Sequence, residues 1–579
     1  MKITKITGYI LIALSIMAGS SAFGSIVTTK HNLSTTGSHT IKSTTEEQIC
    51  IFCHTPHHAR TDVPLLWNRN NSSVQYITYD SSSISSVPGQ PSGASRLCLS
   101  CHDGTIAIGS VLSRTQEIPL SGGVRFMPEG PTKLGTDLSD DHPVSMLYNT
   151  NHPQMHDPST FSEGVKVDEN NMVQCTSCHE PHGTNYDYFL RRSRSASALC
   201  LTCHDKAGWA GASHKTSART WNGQGTDPWQ HTAITFSTVA ENACENCHDP
   251  HGGGADERIL KYAILEDNCL PCHTGNVALK NVLLEFQKPY NHPVINSTYE
   301  GRHSPNEDVT TGGVQKHVEC PDCHNPHFAN RDGASAPAVR GFNKGVSGVD
   351  TNGQYVQEIQ YLYELCYKCH ADWNVKTAAP VRRQLDQWNV RLEFDPGNPA
   401  YHPIEAPGQN PDVPSLRTPY TENSIIYCVD CHASNNTGVR GPHGSGNNFI
   451  LERRYDHVDP NAFSEAKYAM CFKCHFWTNG LDREAFEHKR HMENADAACF
   501  ACHDPHGVNS QDIAAIGHTA INHLHNINFN LDTDLANPFG PKTVPTYEST
   551  GNRRGRCNLR CHGEDHERDG GFRSYNCPC

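Results

Sequence analysis

The sequence has little of what builds a conventional protein core. Apolar residues fill 36% of its 579 positions and aromatic residues 8%, well under an ordinary globular composition, while Gly and Pro are abundant. A chain this long and this polar cannot readily assemble several cores from side chains alone. Long hydrophobic runs are absent beyond the N-terminal stretch, so no later segment is expected to cross a membrane. Positive charge is also short: 47 Lys and Arg stand against 61 Asp and Glu, a formal charge of −14. That balance argues against nucleic acid as a partner and favours basic docking faces on proteins or positively charged mineral surfaces. What is plentiful is Cys, at 26, and His, at 37.

The stretch Cys244-Glu245-Asn246-Cys247-His248-Asp249-Pro250-His251 organises the rest. Two thiols three positions apart, with a histidine directly after the second, form the attachment signature of a c-type haem. Each sulfur can form a thioether to one haem vinyl group, and the next imidazole becomes the proximal ligand of the iron. His251, turned away by Pro250, is too close in the chain to reach the other face of that haem. It points at a neighbouring iron instead.

The signature recurs at Cys50/Cys53/His54, Cys98/Cys101/His102, Cys175/Cys178/His179, Cys200/Cys203/His204, Cys244/Cys247/His248 and Cys269/Cys272/His273. It continues at Cys320/Cys323/His324, Cys366/Cys369/His370, Cys428/Cys431/His432, Cys471/Cys474/His475 and Cys499/Cys502/His503. A twelfth copy, Cys557/Cys561/His562, carries one extra spacer residue. Zinc can use Cys-x-x-Cys pairs but gives no reason for a histidine after every second Cys. Redox dithiols occur once or twice on a compact fold, and disulfide scaffolds use irregular spacings. Twelve covalent haems are therefore expected, using 24 of the 26 cysteines. Cys577 and Cys579 lack a following histidine, and a disulfide across one residue would be strained. An unstructured tail is the plain expectation there, with intermolecular pairing or metal binding as the others.

The motifs come in pairs. After the first of a pair a Pro-His element usually follows, supplying His57, His182, His251, His327 and His506, and His443 after an insertion. The second motif lacks Pro-His and often follows an apolar residue, and stretches such as Tyr361 to Lys368 and Glu465 to Lys473 read as short helices delivering it. A second set of histidines, His142, His292 and His402, is followed by Pro; His31 begins that series. With His231 and His491 these make twelve candidate distal ligands, although His214, His303, His317, His488, His518, His523 and His525 compete for the last two places. A haem with two histidines bound has no open position and shuttles electrons; one lacking the second can do chemistry.

The expected architecture is mainly irregular, with short α-helices, little β structure, and haems as the core of six di-haem units. Their bounds are 25–130, 131–225, 226–300, 301–394, 395–480 and 481–579, after a leader at 1–24. Lys2 and Lys5 precede a mostly apolar Ile6 to Ala18, with a cleavage site at Ala22-Phe23-Gly24, the pattern of a secretion signal. No Cys lies near it, so a lipoprotein is not expected, and the mature chain belongs in the periplasm or outside the cell.

The doubled Cys-x-x-Cys-His pattern resembles the doubled-CxxCH multihaem cytochromes c, and Cys50 to Pro56, Arg96 to Gly104 and Asp137 to Ser145 look like members found in metal-reducing bacteria such as Geobacter. The resemblance implies a bis-histidine electron-transfer protein of an extracellular electron-export pathway. Its implied partners are other c-type cytochromes, an outer-membrane porin–cytochrome complex, Fe(III) or Mn oxides, or further copies of itself in a filament. The alternative from another class is a multihaem reductase of nitrite, hydroxylamine or a sulfur oxyanion with one open haem.

Overall fold

The computed structural model describes residues 26–531 and 545–575, apart from 64, 163, 184, 230–235, 255–256, 296–317, 373–380, 479, 484–486, 552–553, 562–563, 566 and 569–570. The expected leader, His231, His303, His317, His562, Cys577 and Cys579 lie outside the described residues. Two compact units form. One takes the described residues up to Ala210 with Lys215–Trp221 and Thr226–Cys269; the other takes Gly211–His214, Asn222–Gly225 and the described residues from Leu270 onward.

The architecture is mostly loop, with short helices and little strand. Each of the eleven regular motifs sits on a helical turn. In many this turn is all the helix there is, as at Cys50–Phe52, Cys175–Cys178, Cys200–Cys203, Cys320–Cys323 and Cys499–Cys502. The histidine N–H closes the turn on the first cysteine carbonyl, at 2.8 Å for His54 on Cys50 and 2.9 Å for His179 on Cys175. Positions i, i+3 and i+4 of a helical turn share one face. The two-residue spacer therefore sends both sulfurs and the imidazole to the same side.

Three longer helices, α1 (Gly93–His102), α2 (Leu265–His273) and α3 (Leu362–His370), each end on the second motif of a pair. α3 takes up the helix expected from Tyr361. The helix expected over Glu465 to Lys473 is reduced to one 3₁₀ turn, Cys471–Lys473. There the Met470 N–H is taken by the Arg454 carbonyl at 3.0 Å, which diverts the bond a helix would need.

Neighbouring motif pairs interlock through their histidine-bearing loops. In the first unit the His142 N–H bonds the Pro250 carbonyl at 2.9 Å, and Asp141 bridges His251. In the second, β1 (Tyr290–Asn291) pairs antiparallel with β2 (Gly444–Ser445), and the His402 N–H bonds the His506 carbonyl at 2.9 Å. The glycine after Pro-His permits this approach. A Cβ on Gly444 or Gly507 would stand 1.9 or 2.2 Å from the carbonyl oxygen of Glu285 or Glu393.

The twelfth motif departs from the pattern. Cys557 lies on β4 (Arg554–Asn558), which joins β3 (Thr546–Gly551), β6 (Gly571–Tyr575) and β5 (Glu567–Arg568) in a sheet ordered β5-β6-β4-β3. Cys557 and Cys561 still pack together, with Cys502, against Ile527, Phe529 and Tyr547. The extra spacer residue thus accompanies a change from helical to extended backbone.

Apolar side chains gather in small separate clusters, such as Ile51, Phe52, Ile108, Val111, Ile118 and Leu120. Between the first two motifs lies a fully buried Arg69. Its guanidinium donates to the carbonyls of Ile108 at 2.5 Å and of Ser100 and Ala107 at 3.0 Å, and to Ser100 Oγ at 3.2 Å. Deleting the donor strands these buried acceptors. Arg69→Met is expected to lower stability by about 3 kcal/mol, read as a lower thermal midpoint than that of wild type.

Candidate haem centres

Nine imidazole pairs recur, each joining a histidine of a Cys-x-x-Cys-His motif to one from elsewhere in the chain. In the first unit they are His54–His182 (6.2 Å between ring centroids), His102–His31 (6.3 Å), His179–His251 (6.1 Å) and His204–His142 (6.3 Å). In the second they are His273–His214 (6.3 Å), His324–His443 (6.1 Å), His370–His292 (6.2 Å), His432–His506 (6.1 Å) and His503–His488 (6.1 Å).

The separations stay between 6.1 and 6.3 Å while the interplanar angles run from 21° to 73°. Ordinary ring contacts vary in both. A metal–imidazole bond is about 2 Å, so two imidazoles on opposite faces of one ion hold their ligand nitrogens about 4 Å and their ring centres about 6 Å apart. A shared coordination axis fixes that distance and leaves rotation about it free. The residues present fit a bis-histidine haem.

Hydrogen bonds fix which ring nitrogen faces inward. The Nδ1–H of His54 donates to the Leu65 carbonyl at 2.7 Å, His179 to Tyr188 at 2.8 Å, His248 to Arg258 at 2.8 Å, His432 to Phe449 at 2.7 Å and His503 to His525 at 2.9 Å. A carbonyl only accepts, so Nδ1 carries the proton and Nε2 keeps its lone pair for a metal. On the other side His31, His214 and His292 donate to the carbonyls of Pro181, Pro326 and Pro442, at 3.0, 3.1 and 2.8 Å. Burial holds the ring pKa down, to about 4 for His179, His273, His432 and His443 and about 3 for His204 and His503. These imidazoles are neutral at pH 7, as metal ligation requires.

Sequence reasoning missed the carbonyl partners. They lie on a returning turn whose two leading residues take positive φ: Leu65 and Leu66, Tyr188 and Phe189, Arg258 and Ile259, Phe449 and Ile450, His525 and Asn526. Bulky residues seldom adopt that region without a local demand. The third residue, Trp67, Leu190, Leu260, Leu451 or Ile527, bridges back to the proximal histidine. This apolar third position, recurring after five of the six Pro-His elements, was the available signal.

Burial pushes Cys53, Cys203 and Cys431 up to about 12, whereas a neighbouring sulfur holds Cys175 and Cys244 down to about 7. Consecutive motif pairs bring their first sulfurs together: Cys98 with Cys175, Cys200 with Cys244, Cys366 with Cys428, and Cys471 with Cys499 are hydrogen-bonded.

Cys272 and Cys369 are among the motif cysteines outside these four sulfur contacts, and His248 and His475 stand outside the nine imidazole pairs. Cys369, like Cys50, is exposed, and Cys272, like most motif cysteines, is half-buried. Both lie one residue before a helix end, Cys369 in α3 and Cys272 in α2. The Cys272 carbonyl caps that end by accepting the Ala278 N–H at 2.9 Å. His475 keeps the motif's closing bond, its N–H on the Cys471 carbonyl at 3.0 Å. Its ring differs from those of His54, His179, His248, His432 and His503: Nδ1 meets the Ser415 hydroxyl at 2.9 Å instead of a carbonyl. A hydroxyl donates as readily as it accepts, so this contact does not dictate the tautomer. The cause is the direction of the returning segment. Leu416, which bridges to His475, precedes the motif in the chain, and the Arg417 Nε–H donates to the His475 carbonyl at 2.7 Å.

The remaining candidates divide. His488 rather than His491 faces His503, and His491 donates Nδ1–H to the Glu487 carbonyl at 3.1 Å. His214 faces His273; His231 is outside the described residues. His214 and His292, which precede the unit boundaries expected at 226 and 301, thus work with the motif pairs that follow them. His57 stands exposed, with no imidazole opposite it among the described residues. His402 is half-buried within the interlock, with Nδ1 3.3 Å from Asn526 Nδ2. His327 N–H bonds Asn325 Oδ1 at 3.0 Å. His518 and His523 face each other at 5.2 Å, and neither belongs to a motif.

Two segments, residues 167–208 and 237–278, match the family described as a doubled CXXCH motif. They contain the motifs from Cys175 to His204 and from Cys244 to His273. These doubled motifs indicate covalently bound haem c and support a multihaem c-type cytochrome of electron transfer. No curated protein matches the chain.

The His214 assignment is directly testable. His214→Ala is expected to convert one low-spin ferric signal to high spin in the EPR spectrum of the haem-loaded protein, with added imidazole restoring it. An unchanged spectrum would assign the ligand of that iron elsewhere.

Proposed function

We propose that the chain is a dodecahaem electron carrier, its haems held by Cys pairs and bis-histidine ligation, working in extracellular electron transfer to partner cytochromes or metal oxides. The observation that carries this reading is the set of nine imidazole pairs at 6.1–6.3 Å. Bound haem supplies a one-electron couple at each iron. The paired residues would hold each such iron with two imidazoles and leave no place for a substrate there, and hydrogen bonds at Nδ1 orient the imidazoles. The successive sulfur contacts support a spatial order of haems that follows motif order within each unit.

Covalent attachment of haem c suggests export, and no helix among the described residues is long and apolar enough to cross a membrane. Residence in the periplasm or at the cell surface is the reading of the leader-like N-terminus. The net charge of −14 supports basic protein faces or oxide surfaces as partners.

Fully oxidised protein with twelve haems per chain should show low-spin ferric signals alone at low temperature. A high-spin fraction near one-twelfth, binding carbon monoxide on reduction, would favour the reductase reading instead.

The Pro-His elements support a further part of this reading. His182, His251, His443 and His506 each face the first-motif histidine of the preceding pair. The exposed His57 is the same element in the first pair, and we read it as a ligand offered to the iron of another cytochrome or a further copy of this chain. His57→Ala should abolish any concentration-dependent self-association seen by mass photometry. Association unaffected by the substitution would leave self-assembly to other surfaces.

A further inference from the structure

The nine imidazole pairs differ in what receives the Nδ1 proton of the ligand that does not belong to a motif. For His31, His214 and His292 the acceptor is a neutral proline carbonyl. For His251 it is Asp141 Oδ1 at 2.8 Å, and for His506 it is Glu393 Oε2 at 3.0 Å. Both carboxylates are withdrawn from water, with side-chain exposures of 8% and 7%. His182 has only a weaker version: Glu180 Oε1 lies 3.2 Å away, is 34% exposed, and shares its charge with Arg191 at 3.0 Å. No carboxylate lies within hydrogen-bonding distance of His443 among the described residues.

The two buried carboxylates are placed by the interlock of neighbouring motif pairs. Asp141 precedes His142 and forms the backbone bridge opposite His251. Glu393 ends the short helix Val390–Glu393, and its carbonyl meets the backbone at Gly507, just after His506. Near Glu393, Asp504 is already engaged by Asn528 Nδ2 at 3.1 Å and by Arg383 Nε at 3.7 Å. Glu393 is thus the acceptor that belongs to His506.

A carboxylate behind a metal-bound imidazole draws on the Nδ1 proton and makes Nε2 a stronger donor. A stronger donor stabilises the more highly charged ferric ion and lowers the reduction potential. We propose that Asp141 and Glu393 are positioning residues that act through His251 and His506, making the haems of the third and ninth motifs the two lowest-potential sites among the nine paired centres. This rests on the bis-histidine reading of those two pairs. One such haem falls in each compact unit, so each unit carries a site that holds its electron least.

The test is a potentiometric titration of the full haem-loaded chain, with EPR and haem content measured on the same samples. Asp141→Asn should move about one-twelfth of the absorbance change from the low-potential end upward, by at least tenfold in the reduction equilibrium, about 59 mV for one electron. Glu393→Gln should move a second twelfth. Glu180→Gln should shift its share by less than either. Asp141→Glu, which keeps the charge, should restore most of the wild-type curve. Superimposable curves for Asp141→Asn, Glu393→Gln and wild type, with all haems loaded and low-spin, would overturn the proposal. If one variant loads incompletely, the other decides. Loss of haem from both also counts against it, because a role confined to the ligand's donor strength leaves loading intact. A high-spin signal in the wild-type protein that His251→Ala or His506→Ala leaves unchanged would instead refute the bis-histidine reading itself.

Discussion

The hydrogen bond at Nδ1 is the constraint on which the rest of the structure depends. A free imidazole offers either nitrogen to a metal and rotates about two torsions. Once its Nδ1–H is held by a backbone carbonyl, one nitrogen, one tautomer and one direction remain. The chain devotes much of its irregular backbone to supplying those carbonyls. The two positive-φ residues at Leu65 and Leu66, and again at Tyr188 and Phe189, turn an oxygen toward His54 and His179. The proline carbonyls of Pro181, Pro326 and Pro442 do the same for His31, His214 and His292. Loops with so little regular structure would otherwise have no reason to be well defined. They are defined by what they must present.

The same constraint explains the composition. Side-chain clusters such as the one around Ile51 and Phe52 are small, and buried polar groups such as Arg69 carry several hydrogen bonds. A chain whose interior is shaped by imidazoles and thiols needs fewer apolar residues than one that packs leucine against leucine. It needs many more polar contacts with correct geometry.

Much of this was legible in the sequence, and unevenly. The motif spacing is local, so the helical turn placing Cys175, Cys178 and His179 on one face follows from i, i+3 and i+4 alone. The loop-rich architecture followed from composition and motif density. The distal partners were harder because they are set by distance in space. His182 lies far along the chain from His54, and nothing near either residue encodes the match. Where two histidines stand three apart, as at His488 and His491, the choice turns on a local π-helical segment, Arg490–Asn494, that no periodicity announces. The returning turns were invisible for another reason: Leu65-Leu66-Trp67 and Tyr188-Phe189-Leu190 read as ordinary apolar residues. Only the backbone conformation reveals that a carbonyl is the functional group. His475 shows the limit of the motif as a guide, since its spacing is regular while its ring is held by a serine from an earlier segment.

The interlock of neighbouring pairs also sets an order of maturation. His54 is complete as half of a coordination site soon after Cys50 and Cys53 are made, but its counterpart His182 belongs to the next pair. The same delay separates His179 from His251, His324 from His443, and His432 from His506. A chain emerging N-terminus first therefore carries at each stage one centre closed on a single side, waiting for the following segment to arrive. In these four cases the following pair finishes its predecessor, and truncation between them leaves the earlier first-motif site open.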